Sequence, residues 1–236
     1  MPGYLHTTGN TRAMKTKNRS VILCTVVALS CLLMMLTDGL WQPGYAIKSA
    51  IKIMVFGVLP LLLSRWMGLS AISCLKPDKS SVMKGTLLGI GTVLVILGAY
   101  ALLHTYMDLS AVPQALESDT GITKENFPYV AIYISLCNSL LEEFFFRGFA
   151  CNALAAQTGK VFSAVFSSLA FALYHAGMLV TMVNPILFTL ALLALAGCGL
   201  FFVFLNERGG NIWTSWLAHM GANIGINLIA MHLLRR

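Results

Sequence analysis

The sequence predicts an all-α fold, a polytopic membrane helix bundle of about seven transmembrane helices, and three observations predict it. Of its 236 residues, 57% are hydrophobic and 11% are charged, whereas a soluble domain carries roughly 25% charged residues. The mean hydropathy is +0.77. The apolar residues fall into seven runs that are long enough to cross a bilayer, which needs roughly 20 residues per helix.

Each run predicts one helix, and polar stretches separate the runs. Residues 1–19 form a polar N-terminal tail, and the run after it lacks a small-residue cleavage site, which indicates an uncleaved first helix. The fourth run has 31 residues, so it must tilt or extend beyond the bilayer. The seven runs are Ser20–Leu36, Ile47–Leu63, Gly85–Tyr106, Phe127–Gln157, Val161–Met182, Pro185–Leu205 and Ile212–Leu234.

Two pairs of glycines have the spacing of close helix packing. They are Gly85-x-x-x-Gly89 in the third run and Gly221-x-x-x-Gly225 in the seventh. Small residues four apart let the backbones of two membrane helices approach closely. Packing is therefore the interpretation of both motifs, rather than ligand binding.

The net charge of +7 comes from basic residues spread over the connections. They form no stripe with interleaved aromatic residues, so the charge does not predict nucleic-acid binding. With the N-terminus inside, ten Lys and Arg residues fall on the cytoplasmic side and five, including Lys48, Lys52 and Lys124, on the other. The positive-inside rule therefore favours a multi-pass protein of the cell membrane with a cytoplasmic N-terminus. The terminal Arg235-Arg236 pair then lies on the outer side, which leaves an eighth segment open.

The fourth run contains Glu142, Glu143 and Arg147, charged residues whose insertion into a membrane costs free energy. A charged side chain at the centre of a membrane helix costs at least ~2.5–3.5 kcal/mol on insertion scales and usually serves function. Glu143 and Arg147 are four residues apart, so we expect an ion pair within the helix. Glu142 is rotated by about 100° from Glu143. It therefore needs water or a partner from another helix.

Two further runs supply polar residues within apolar surroundings. His175 follows Phe171 by one helical turn in the fifth run, and His219 precedes Asn223 by one turn in the seventh. A single histidine in an apolar helix is more often a hydrogen-bonded core residue. Together with Glu142, however, four costly groups on three helices predict a shared polar cavity within the membrane.

Such a cavity suits hydrolysis of a peptide bond. Glu142 beside His175 can act as a general base that takes a proton from an attacking water. His219 and Asn223 can donate hydrogen bonds to the oxyanion that develops on the carbonyl. Glu142, His175 and His219 also match a His₂Glu zinc site, although no H-E-x-x-H motif is present. A transporter that relays protons is a further alternative, but no inverted repeat is evident between the halves.

The three motifs occur in the order E-E-x-x-x-R, F-x-x-x-H and H-x-x-x-N, at Glu142–Arg147, Phe171–His175 and His219–Asn223. In this order they resemble the CPBP family of membrane proteins. That family includes CAAX prenyl endopeptidases of the Ras-converting type, bacteriocin-processing enzymes and bacterial relatives called Abi. The resemblance covers residues 128–232.

The resemblance implies a metal-independent glutamic endopeptidase without a cofactor. Glu142 would activate water with help from His175, and His219 with Asn223 would form the oxyanion pocket. Glu143 and Arg147 would be a supporting ion pair, and Phe171 would line the site. The substrate would be a prenylated CAAX-like or leader-type peptide that enters from the bilayer or its surface. The family also suggests eight helices, and its bacterial members suggest a non-catalytic alternative, namely bacteriocin immunity through binding of a partner.

The chain therefore divides into three parts. A polar tail, 1–19, precedes three N-terminal helices of unknown role, 20–127, and a catalytic helix bundle, 128–236.

Overall fold

The computed structural model describes residues 16–106, 109 and 122–235, and within them all regular structure is helical. Seven helices are long and apolar enough to cross a membrane, which confirms the predicted fold class and the count of seven in the described part. Most of the predicted polar tail and of the connection 107–126 lies outside the described residues. The seven helices are α1 (Asn18–Trp41), α2 (Tyr45–Met67), α3 (Lys79–Tyr106), α4 (Phe127–Thr158), α5 (Lys160–Val180), α6 (Pro185–Gly209) and α7 (Trp213–Leu234).

The helices begin and end close to the predicted apolar runs, and the largest difference is at α3. This helix begins at Lys79, six residues before the predicted Gly85, because Asp78 caps its N-terminus. The Asp78 carboxylate accepts a hydrogen bond from the Ser81 backbone N–H at 3.0 Å and from the Asn211 amide at 2.6 Å. These bonds, with the Ser81 contributions largest, lower the pKa of Asp78 to about 2. The cap thus ties α3 to the connection between α6 and α7.

Helix α4 is not a uniform α-helix. Its α-helical parts, Phe127–Tyr133, Ser139–Glu143 and Asn152–Thr158, are separated by wider π-helical parts, Ile134–Asn138 and Phe144–Cys151. The short α-helical part between the two π-helical parts contains Glu142 and Glu143. Short π-helical stretches often occur at functional sites, because they change the direction in which side chains point.

Polar side chains of α7 hold the first π-helical part of α4. Trp216 donates to the Leu136 carbonyl at 3.2 Å, Asn223 to the Ile134 carbonyl at 3.2 Å, and Asn227 to the Ala131 carbonyl at 3.3 Å. In lipid, a backbone carbonyl that leaves the regular helical pattern needs such a partner. One face of α7 therefore fixes the part of α4 that precedes Glu142.

The two glycine motifs pack against each other, as helix α3 crosses α7. A Cβ atom on Gly221 would lie 2.3 Å from the Gly89 carbonyl oxygen, and one on Gly89 would lie 2.6 Å from the Leu217 carbonyl oxygen. No side chain fits between backbones this close. The predicted packing role of both motifs is confirmed.

An aromatic core joins α2, α4 and α5 beneath the polar residues. The Phe56 ring stacks on Phe145 with centroids 4.2 Å apart, and Phe146 stacks on Tyr174 at 5.4 Å. These four rings are fully or almost fully buried. The core thereby fixes Tyr174, which precedes His175 in α5.

Lys48 and Lys52, which the sequence count assigned to the outer side, lie within a helix and not in a connection. Both lie in the first α-helical part of α2, Tyr45–Lys52, and are buried. Lys48 pairs with Asp38 at 3.4 Å and Lys52 with Glu142 at 2.8 Å. An internal carboxylate compensates each ammonium group, so neither lysine needs an aqueous connection.

Candidate active site

Glu142 lies at the centre of a hydrogen-bonded cluster that draws on three helices. Its Oε1 atom accepts from Lys52 Nζ of α2 at 2.8 Å, from Asn138 Nδ2 of α4 at 2.7 Å and from the Tyr174 hydroxyl of α5. Lys52 also donates to Asn138 Oδ1 at 2.6 Å. The partner that Glu142 needed from another helix is therefore a lysine, with a tyrosine and an asparagine beside it.

The other oxygen of the Glu142 carboxylate has different surroundings. Oε2 is buried and accepts no hydrogen bond from the described residues. His219 Nε2 lies 3.6 Å from it and His175 Nε2 lies 4.0 Å from it. Both separations are less than twice a normal hydrogen-bond length of about 2.8 Å, so one water oxygen can reach Oε2 and an imidazole together.

The hydrogen bonds of the two histidines define what their Nε2 atoms can do. His175 Nδ1 lies 2.7 Å from the Phe171 carbonyl oxygen, and His219 Nδ1 lies 3.0 Å from Glu143 Oε1. Both oxygens only accept, so each Nδ1 carries a proton, and each Nε2 is an acceptor whenever its ring is neutral. Both Nε2 atoms thus lie near Glu142 Oε2, at distances that a donor such as water can bridge.

The predicted Glu143–Arg147 ion pair is present and buried, with Arg147 Nη1 3.2 Å from Glu143 Oε1. The guanidinium group lies 4.2 Å from the centroid of Phe171 and 5.1 Å from that of Phe202. Such cation–π contacts stabilise a desolvated guanidinium. Because the same carboxylate accepts from His219, the pair orients that imidazole toward Glu142.

Asn223 and Phe171 also lie at this site. Asn223 borders the same cavity as Glu142 and donates one amide N–H to the Ile134 carbonyl. The Phe171 ring lies behind the two imidazoles, with its centroid 4.8 Å from His175 and 5.8 Å from His219. Phe171 therefore supports the histidines and Arg147 and is not among the residues that border the cavity.

The polar groups border a cavity of about 220 Å³. Glu142, His175, His219 and Asn223, which the sequence singled out on three helices, all border it. Lys52, Asn138 and Tyr174 border it as well, but sequence reasoning did not select them. Asn138 precedes Glu142 by four residues, a spacing that places both on one helix face. Lys52 could also have been selected from the sequence, because it is a charged residue within an apolar run.

The zinc alternative would require Glu142, His175 and His219 to bind one metal ion together. Among residues 16–106, 109 and 122–235, no group of three His, Cys, Asp or Glu side chains has an arrangement that would hold a metal ion. Lys52 already compensates the charge of Glu142 at Oε1, and His219 Nδ1 is bound to Glu143. The cluster is thus arranged around an internal ammonium group.

Comparison with known proteins gives one finding. Residues 124–225 match the family model described as "Rce1-like: Type II CAAX prenyl endopeptidase Rce1-like". The matched segment contains all three motifs and bears out the resemblance predicted from them. No curated protein matches the chain, and no solved structure matches it.

Proposed function

We propose that this membrane protein is an endopeptidase that hydrolyses a peptide bond with a water activated by Glu142. The match of residues 124–225 to the Rce1-like family model of type II CAAX prenyl endopeptidases supports a peptide hydrolase. The two unequal oxygens of Glu142 carry the proposal. Oε1 is held by three donors, whereas Oε2 faces two imidazole acceptors across the cavity. One oxygen positions the carboxylate, and the other is available to take a proton.

The reaction follows from these positions. A water between Glu142 Oε2 and His175 Nε2 gives a proton to the carboxylate while its oxygen bonds to the carbonyl carbon of the substrate. When the tetrahedral intermediate collapses, the C–N bond breaks and Glu142 returns the proton to the leaving nitrogen. The products are one new carboxyl group and one new amine.

His219 and Asn223 are assigned to the oxyanion that forms on the carbonyl. Asn223 has a second amide N–H besides the one bound to Ile134. His219 can donate from Nε2 when that atom carries a proton, while its Nδ1 atom stays bound to Glu143 Oε1. Loss of one such donor typically slows an acyl-transfer reaction about 10²–10³-fold.

The substrate of this proposal is a peptide that reaches the cavity from the bilayer or its surface. The family description supports a CAAX-like sequence, and a leader-type peptide presents the same amide chemistry. The proposal includes no metal or other cofactor, because the water is activated by the carboxylate and the imidazole.

Glu142→Gln tests the mechanism, with Glu207→Gln as its matched control. Gln keeps the shape of the side chain but removes the base, so we expect cleavage to fall about 10²–10⁴-fold. Glu207 is exposed and does not border the cavity, so its variant should cleave normally. The measurement is fragment release from quenched fluorescent peptides, with and without a prenylated C-terminal cysteine motif, by protein in lipid vesicles. If Glu142→Gln cleaves the peptides as fast as the unmodified protein, the proposed mechanism is contradicted.

The same variant separates proteolysis from the immunity alternative. A protein that protects cells only by binding a toxin does not require the base, so Glu142→Gln should still protect them. If protection disappears together with cleavage, the binding role is contradicted.

A further inference from the structure

One face of α2 borders the cavity, and it contains a charged group that the proposed mechanism does not use. Tyr45, Lys48, Ser49 and Lys52 have the spacing of a single helix face, and all four border the cavity. Lys52 binds Glu142. The Ser49 hydroxyl donates to the Tyr45 carbonyl of its own helix at 2.8 Å. The ammonium group of Lys48 remains without a role in the proposed reaction.

Lys48 pairs with a carboxylate that solvent can reach. Its Nζ atom lies 3.4 Å from Asp38 Oδ1, in the last turn of α1, and Asp38 also borders the cavity. The Asp38 side chain is 19% exposed, whereas that of Glu142 is 2% exposed. An ion pair with an accessible carboxylate stabilises a protein little, because water replaces the lost partner. Asp38 can therefore leave Lys48 at a small cost in free energy.

The spacing of the two lysines relates Lys48 to the cleaved bond. Lys48 and Lys52 are one helical turn apart, which separates them by ~6 Å along α2. The ammonium group of Lys52 lies 2.8 Å from Glu142 Oε1. An extended peptide advances by ~3.3 Å per residue. A group bound to Lys48 therefore lies about two to three residues away from a peptide bond that is held at Glu142.

We propose that Lys48 binds the C-terminal carboxylate of the substrate, about two to three residues beyond the cleaved bond, and that Asp38 occupies the ammonium group until the substrate replaces it. An ammonium group has three donors and no acceptor, so its partner is an anion. This inference rests on the proposed endopeptidase function and narrows its substrate. The enzyme cleaves peptides close to a free C-terminus, and a peptide bond in the middle of a long chain lacks the carboxylate that Lys48 binds.

The cavity also has apolar walls that fit the end of a peptide. Met34, Ile122 and Met178 border it together with Lys48 and Asp38. Binding cavities commonly combine apolar walls with a few polar groups that fix the orientation of the ligand. The last side chains of the substrate contact these apolar residues while its terminal carboxylate pairs with Lys48. A charge-assisted bond of this kind is stronger than a neutral one.

A comparison of peptide ends tests the proposal. A prenylated CAAX-type peptide is prepared as the free acid, as the C-terminal amide, and as an amide whose last residue is Glu. We expect kcat/KM for the acid to exceed that for either amide about 10–100-fold, the range of one hydrogen bond to a charged group. Mass spectrometry measures the products of protein in lipid vesicles. Equal rates for the acid and the plain amide would overturn the inference, as would a Glu-ended amide that is cleaved as fast as the acid.

Two variants should change this acid-to-amide ratio in opposite directions. Lys48→Gln removes the ammonium group, so the ratio should fall toward one. Asp38→Asn removes the competing carboxylate, so the ratio should rise several-fold. Lys84→Gln, at an exposed position of α3, is the control and should leave the ratio unchanged. Each ratio compares two peptides on one preparation, so the amount of folded protein cancels. An unchanged ratio in Lys48→Gln, or a lower one in Asp38→Asn, would contradict the assigned roles.

The result is separable from the test of the proposed function. If the unmodified protein cleaves acid and amide equally and Glu142→Gln cleaves neither, the endopeptidase mechanism is retained and the role of Lys48 is overturned. If Glu142→Gln cleaves both peptides normally, the mechanism itself is contradicted.

Discussion

At the scale of single residues, two adjacent glutamates have separate partners. Glu142 pairs with Lys52 of α2, and Glu143 pairs with Arg147 of the same helix and with His219 of α7. The rotation of about 100° between neighbouring helical residues keeps the two carboxylates apart. In the proposed mechanism Glu142 takes part in the chemistry, while Glu143 fixes an imidazole and a guanidinium group.

Lys52→Met should destabilise the protein by about 3–5 kcal/mol, because it leaves the Glu142 carboxylate buried without a counter-charge. The double variant Lys52→Met/Glu142→Gln removes both charges and should recover much of this loss. Lys84→Met, at an exposed position of α3, is the control. The measurement is the free energy of unfolding in detergent micelles. A double variant less stable than Lys52→Met alone would contradict the assigned pairing.

The contrast between Arg147 and Lys52 shows which contacts the sequence could predict. Glu143 and Arg147 are one helical turn apart, so local geometry alone predicted their ion pair. Lys52 and Glu142 are 90 positions apart. Their contact depends on how α2 packs on α4, which the hydrophobic pattern does not determine. Tyr174 escaped selection because a tyrosine in an apolar run is usually a packing residue.

At the scale of helices, the spans were predictable but the internal shape of α4 was not. Length and hydropathy define where a membrane helix lies. The π-helical part Phe144–Cys151 reads as an ordinary apolar stretch in the sequence. Its geometry arises from contacts with other helices, such as the hydrogen bond from Ser167 of α5 to the Phe146 carbonyl at 2.6 Å.

Two glycines of α3 allow a matched test of helix packing. Gly89→Ala should destabilise the protein by about 1–3 kcal/mol, because the new methyl group would lie 2.6 Å from the Leu217 carbonyl oxygen of α7. Gly98→Ala meets no other atom within 4 Å and should stabilise the helix slightly, since Ala is the better helix former. Thermal unfolding in detergent compares the two variants. Equal melting temperatures would contradict the close approach of α3 and α7.

At the scale of the whole molecule, the site balances its charge with residues of the chain itself. Lys52 and Arg147 compensate Glu142 and Glu143 inside the membrane. The proposed mechanism therefore relies on these internal cations, and not on a divalent metal ion, to balance the carboxylates. This balance draws on α2 and α4 together, so it depends on assembly of the complete bundle.

Treatment with a chelator should leave cleavage unchanged, because the proposed general base needs no metal. The measurement compares the rate of peptide cleavage by vesicle-reconstituted protein before and after dialysis against EDTA and 1,10-phenanthroline. Metal analysis of the purified protein accompanies it. A loss of activity that equimolar zinc restores would contradict the carboxylate mechanism.

The position of Lys52 also constrains any chimera of this protein. The lysine lies outside residues 124–225, the segment that matches the family. A transplant of that segment onto foreign N-terminal helices would therefore carry Glu142 without its cation. Such a hybrid would need a lysine at the equivalent depth of its second helix to restore the buried pair with Glu142.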